Sequence, residues 1–229
     1  MNEYIFIAHT IIIAGFALGS LALGRSALVA FVCICCIIAN LFVVKQIILF
    51  GLTATCADAF TVGATIGLNL LQEYFGKEIA KKTIWINFLL LIFYAIISQI
   101  HLLYIPNIAD TAQQHFLPLL SLMPRIVVAS FTVYLFTQMA DYYLYGILKK
   151  TFHDKHIIIR NYASIALCQL LDTVLFSFLG LYGIIEDIWQ VIIISYIIKL
   201  ISIVIATPFV GFSRKIYRLT HITSSHSRR

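Results

Sequence analysis

Seven apolar runs, at residues 4–24, 26–50, 53–74, 83–104, 118–148, 158–180 and 188–212, constrain this chain more than anything else in it. Each reaches the roughly 20 residues of helix that cross the hydrocarbon core of a bilayer, and exceeds the about 9–11 residues of a barrel strand. None shows the strict apolar and polar alternation of such a strand. A helix satisfies its own backbone in lipid, so all seven runs are expected to be transmembrane helices. The composition agrees: 61% of the residues are hydrophobic and 11% charged, against about 25% charged in soluble domains. Within 229 residues little chain remains for a soluble domain, and the function is expected inside the membrane.

The basic residues orient the bundle. Arg25 follows the first run; Lys77, Lys81 and Lys82 the third; Lys149, Lys150, Lys155 and Arg160 the fifth; Arg214, Lys215, Arg218, Arg228 and Arg229 the seventh. All but three of the sixteen basic residues, namely Lys45, Arg125 and Lys199, therefore fall in alternate connections. By the positive-inside rule the C-terminus, with a basic tail over 213–229, is cytoplasmic and the N-terminus outside. The outer segments carry Glu3, Asp110, Glu186 and Asp187. The net charge of +6 thus reads as topology and contact with anionic lipid, not as nucleic-acid binding. Glu3, with no Lys or Arg ahead of the first run, favours a retained helix over a cleaved leader. The five cysteines (Cys33, Cys35, Cys36, Cys56, Cys168) lie in apolar stretches and read as packing residues, so neither a disulfide framework nor a metal site is expected.

An ionisable group in the middle of a span costs roughly 2.5–3.5 kcal/mol even on a mild insertion scale. Such groups face the bundle interior, where they pair or line a watery cavity. The sixth run places Gln169, Asp172 and Thr173 at i, i+3 and i+4, on one helix face. The seventh places Ser195, Lys199 and Ser202 on another, with Asp172 and Lys199 both near mid-depth. The two runs are joined by a short connection and should be antiparallel neighbours, so an ion pair between Asp172 and Lys199 is expected. The plainer reading is a structural pair that locks two helices.

In the third run Asp58, Thr61, Thr65, Asn69 and Gln72 recur at i, i+3, i+7, i+11 and i+14, a polar stripe along nearly the whole span. Beside it run Ala59, Gly63 and Gly67, a small-residue ridge that admits a close neighbouring helix. Together they suit a cavity wall. Glu73 follows at the inner end, where it is either part of the cavity or a solvated helix-end charge. The fifth run carries Arg125 near its outer end and Gln138 with Asp141 towards its inner end; Arg125 either turns inward or snorkels to the surface. In the second run Asn40 lies near mid-depth and Lys45 nearer the outer surface. Pro208 is expected to break or kink the seventh helix. This collection of amides, carboxylates and aromatics suits a flat, hydrogen-bonding solute.

Catalytic signatures are missing. GxxxxGK[ST], HExxH and GxSxG do not occur, and no close set of Cys, His and acid does either. No catalytic residue, metal or cofactor is expected, and no channel filter is seen.

The stretches "IIANLFVVKQIILFGLTAT" (38–55), "QEYFGKEIAKK" (72–82), "MPRIVVASFTVYLFTQMADYYLY" (123–145), "RNYASIALCQLLDTVLF" (160–176) and "SYIIKLISIVIATPF" (195–209) resemble the queuosine precursor transporters, also called the vitamin uptake transporter family. The resemblance covers most of the chain. It implies a multi-pass bacterial inner-membrane carrier that imports a 7-deazaguanine, namely preQ0, preQ1 or queuine, for tRNA modification. It also implies an all-α bundle, a six-helix core similar to the S-components of vitamin uptake systems plus an extra N-terminal helix. Carried over residue by residue, the substrate-binding positions are Asn40, Glu73, Arg125, Gln138, Asp141, Gln169, Asp172 and Lys199. Lys45, Asp58, Thr65, Asn69, Gln72 and Ser195 are expected to line the cavity. The chain departs from the family pattern at Asp58, where an Asn is usual, at Asn69, where an Asp is usual, and at Ala206, also usually Asp. Expected partners are the purine-like base and membrane lipids, with a homodimer as one oligomeric option. The competing readings are a substrate-binding subunit served by an ATP-driven partner and a structural membrane protein with no ligand.

Overall fold

The structure, a computed structural model, describes the backbone of residues 1–151 and 157–226, and their side chains except at 138, 139, 141–166, 206, 207, 210 and 220–226. Among the described residues eight helices are arranged as α1 (Asn2–Leu23), α2 (Arg25–Phe42), α3 (Asp58–Phe75), α4 (Lys77–Leu102), α5 (Gln113–Leu120), α6 (Met123–Thr151), α7 (Ile157–Phe176) and α8 (Ile188–His226). A short hairpin of β1 (Gln46–Leu49) and β2 (Leu52–Thr55) separates α2 from α3, and a π-helical turn, Ser177–Leu181, extends α7. Among the described residues five segments qualify as membrane spans by length and apolarity: α1, α2, α4, Gln113–Thr137 and Ile188–Ile205. The chain is a polytopic helical membrane protein. α3 does not qualify because its polar stripe lowers its hydropathy.

The second apolar run is not one helix through residue 50. α2 stops at Phe42, and Lys45 lies beyond its end in the lead-in to the hairpin, not within a helix. The two-residue turn explains the reversal: Phe50 and Gly51 have φ of 51° and 81°, the signature of the type I′ turn whose twist matches a tight antiparallel hairpin. The register pairs Gln46 with Thr55 and Leu49 with Leu52, and Cys56 N–H donates to the Lys45 carbonyl at 3.1 Å to close the base. The fifth run is likewise two helices, with α5 ending just ahead of Pro124. In contrast, α8 continues through Pro208. Its 39 residues measure about 58 Å at 1.5 Å per residue, well beyond a hydrocarbon core of roughly 30 Å.

α1, α2 and α3 pack as a layer. Ala17, Leu21, Leu28, Val32, Leu70 and Leu71 form its buried core. The small-residue ridge on α3 is what lets them close: an added Cβ at Gly63 would strike Ile13 of α1, and at Gly67 it would sit 2.5 Å from Val32 Cγ2 of α2. α8 packs against α1 and α3 on one side and α7 on the other, while α6 bridges α7 to α4 and α2. α3 touches α1, α2, α4 and α8, but among the described residues has no substantial contact with α6 or α7. Its stripe of Thr65, Asn69 and Gln72, on the side away from Gly63 and Gly67, stays uncovered. Trp85, Leu89, Phe93 and Ile96 of α4 are exposed, an apolar face of the kind a membrane bundle turns to lipid.

Candidate functional site

Helix spacing stacks Ser195, Lys199 and Ser202 on successive turns of one face of α8. From this face two polar bridges reach opposite neighbours. Ser195 Oγ donates to Asp58 Oδ2 of α3 at 2.8 Å. One turn further, Lys199 Nζ donates to Asp172 Oδ2 of α7 at 2.8 Å and to Thr173 Oγ1 at 3.0 Å. Thr173 passes its own hydroxyl hydrogen to the Gln169 carbonyl at 2.8 Å, and Thr55, at the end of β2, donates to Asp58 Oδ2 at 3.5 Å. The ion pair expected from the spacing of the sixth and seventh runs is therefore present.

The pair is asymmetric. The Lys199 side chain is 7% exposed and that of Asp172 is 38% exposed. The lysine is sealed, whereas the carboxylate keeps an open edge: among the described residues Asp172 Oδ1 accepts no hydrogen bond, and neither does the Gln169 side-chain amide form one. Asp58 is buried, and its direct partners are two neutral hydroxyls on a single oxygen. A buried carboxylate without a bonded cation costs several kcal/mol. Lys199 also lies within electrostatic reach of Asp58, so one lysine serves two carboxylates. Further down the same face Ser202 is fully buried and its Oγ has no partner among the described residues.

A cavity of about 330 Å³ opens under the hairpin, walled by Phe6 and His9 of α1, Phe42 of α2, Lys45, and Asp58 and Phe60 of α3, among others. Its volume falls at the lower end of small-molecule sites. His9 stands edge-on to Phe60 with ring centroids 4.6 Å apart. Three side-chain bonds fasten the hairpin over it: Asn2 Nδ2 to the Ile48 carbonyl at 2.8 Å, Phe50 N–H to Glu3 Oε1 at 3.2 Å, and Thr53 N–H to Gln190 Oε1 at 3.2 Å. The hairpin, the start of α1 and the start of α8 thus share one end of the bundle.

The other candidate positions scatter. Asn40 is occupied by the chain itself, donating to the Cys36 carbonyl at 2.7 Å and accepting from Ser130 Oγ of α6 at 2.8 Å. Arg125 is a clasp: its Nε donates to the Leu179 carbonyl at 3.2 Å and its Nη2 to the Tyr182 carbonyl at 2.5 Å, tying α6 to the π-helical turn. Thr65, Asn69, Gln72 and Glu73 are exposed along α3, and Lys45 is exposed at the cavity under the hairpin. The side chains of Gln138 and Asp141 lie outside the described residues. Sequence reasoning passed over His9, although a lone imidazole in an apolar run was a usable signal. It also passed over Thr55, Ser130 and Gln190, whose uncharged polar side chains carry no such signal.

Residues 59–213 match the family described as "Putative vitamin uptake transporter". Over 214 residues the chain is 33% identical to the "Probable queuosine precursor transporter" of Bacillus subtilis (strain 168), covering 91% of each protein. No solved structure matches.

Proposed function

The chain belongs to the vitamin uptake transporter family, a membrane transporter and not an enzyme, and from that premise we propose that it imports a queuosine precursor, a 7-deazaguanine base, across the bacterial inner membrane. The observation that carries the reading is the half-open ion pair. A group as costly as a mid-helix carboxylate is bonded to Lys199 through one oxygen, while its other oxygen has no partner among the described residues. The base offers an N1–H and an exocyclic amine along one edge, which a carboxylate accepts, and a carbonyl to which the Gln169 amide donates. The uncovered Thr65 and Asn69 of α3 supply further hydrogen-bonding groups. The hairpin end is the outer end in this reading, following the basic residues at the opposite ends of the helices.

Asp172→Asn tests it in cells that depend on imported precursor. The neutral amide places a donor where the base also donates, so queuosine in tRNA should fall at least tenfold at normal expression. Unchanged queuosine removes Asp172 from the site. Uptake of labelled base by liposomes that contain this protein alone distinguishes a self-sufficient carrier from a subunit driven by an ATP-hydrolysing partner.

A further inference from the structure

We propose that Asp58 carries the proton that drives this transport, making the protein a proton-coupled carrier in which a neutral base and one proton cross together. The inference rests on the transport reading above and concerns its energy source. Three ionisable groups are cross-linked around one face of α8: Asp58, Lys199 and Asp172. With all three ionised the cross-linked set carries one surplus negative charge, and a proton on one acid makes it neutral. Binding a neutral base at Asp172 leaves that sum unchanged, so only the proton discharges the set.

The structure distinguishes the two acids. Asp172 holds the lysine directly, whereas among the described residues Asp58 meets only hydroxyls, from Ser195 and Thr55. A hydroxyl accepts as readily as it donates, so both partners tolerate Asp58 in either protonation state, which an ammonium would not. Asp58 also lines the cavity under the hairpin, and Asp172 does not. Its Oδ1 accepts no hydrogen bond among the described residues, so a proton from water has a place to arrive from that side. Ser202 Oγ, buried and unpartnered among the described residues, continues the polar face one turn beyond Lys199. The proton comes from water at the hairpin end, resides on an Asp58 oxygen and leaves to water at the other end, with no covalent bond to the base made or broken.

The charged and titratable groups that face Asp58 are Lys199 of α8, Asp172 of α7, His9 of α1, and Lys45 and Cys56 beside the hairpin. Of these His9 is the rival carrier. It packs on Phe60 and has no direct bond to the charged set.

The test uses the full-length protein in liposomes with a pH dye inside and labelled 7-cyano-7-deazaguanine, a neutral base, outside. An interior one pH unit more alkaline should drive accumulation of about tenfold, since one pH unit and a tenfold concentration ratio are equal in free energy. Internal acidification should accompany uptake, and a protonophore should abolish accumulation. Asp58→Asn should still exchange labelled for unlabelled base but neither accumulate it nor respond to the gradient; Asp58→Glu should restore part of the response, and His9→Gln should keep all of it. Wild-type exchange that ignores the gradient, accumulation by Asp58→Asn, or loss of coupling in His9→Gln alone would each overturn the inference while leaving transport intact. Absence of exchange by the wild type with any deazaguanine would overturn the transport reading, and this one with it.

Discussion

Replacing Lys199 by methionine keeps an unbranched side chain of similar length and removes the only ammonium in the bridged set. Asp172 is then left without its bonded cation, and Asp58 without the nearby positive charge that offsets it. Removing one partner of a buried pair costs about 3–5 kcal/mol. Here water reaches part of the loss, because the Asp172 side chain is 38% exposed, so the expected cost is about 2–3 kcal/mol. For a chain of this size about 2–4 °C of melting temperature goes with each kcal/mol, giving a drop of about 4–12 °C in detergent. The double variant Lys199→Met/Asp172→Leu removes both members of the bonded pair and should recover about half of the loss or more, since an apolar pair of like volume replaces an ion pair at little cost, while Asp58 still lacks the positive charge that offsets it. The stability readout separates the brace from the site: the double variant regains stability and does not transport. A Lys199→Met protein that melts with the wild type, or a double variant less stable than either single one, would refute the reasoning.

Gly67→Ala places a Cβ 2.5 Å from Val32 Cγ2 and 3.3 Å from Phe31 Cδ1, and should lower stability by about 1–3 kcal/mol as overpacking does; Val32→Ala in the same chain should recover part of it in a thermal melt. Arg125→Ala frees two carbonyls at the π-helical turn and should cost about 1–2 kcal/mol, and lysine should not rescue it, because one ammonium does not reproduce the guanidinium fork. Phe50→Asn puts a residue that tolerates positive φ where the chain has 51°, and should slow hydrogen exchange of the hairpin amides by severalfold.

The parts of the fold readable from the sequence were those that periodicity encodes. Gln169, Asp172 and Thr173 on one face and Ser195, Lys199 and Ser202 on another were enough to foresee the ion pair, because a short connection leaves two helices few ways to pack. The Ala59, Gly63 and Gly67 ridge foretold close approach for the same reason. The hairpin was not legible, since hydropathy counts "KQIILFGLTAT" as a continuation of an apolar run and is blind to the direction of the chain. What reverses the chain after α2 is the turn at Phe50 and Gly51, a matter of two φ angles. The local hints were Gly51 itself and the β-branched Ile47, Ile48, Thr53 and Thr55 on either side of it.

Asn40 and Arg125 show a different limit. Burial in an apolar helix tells that a polar group must find a partner, and does not tell whether the partner is solute or chain. Asn40 found Cys36 and Ser130, and Arg125 found two carbonyls, so both are accounted for as structure. By that standard the proposed solute site rests on the groups whose bonding is incomplete among the described residues: the outer oxygen of Asp172, the amide of Gln169 and the open face of α3. The same criterion marks Asp58, where a carboxylate is met by hydroxyls that suit it charged or neutral, and that indifference to charge state is what a group must have if it is to take up and release a proton during each cycle.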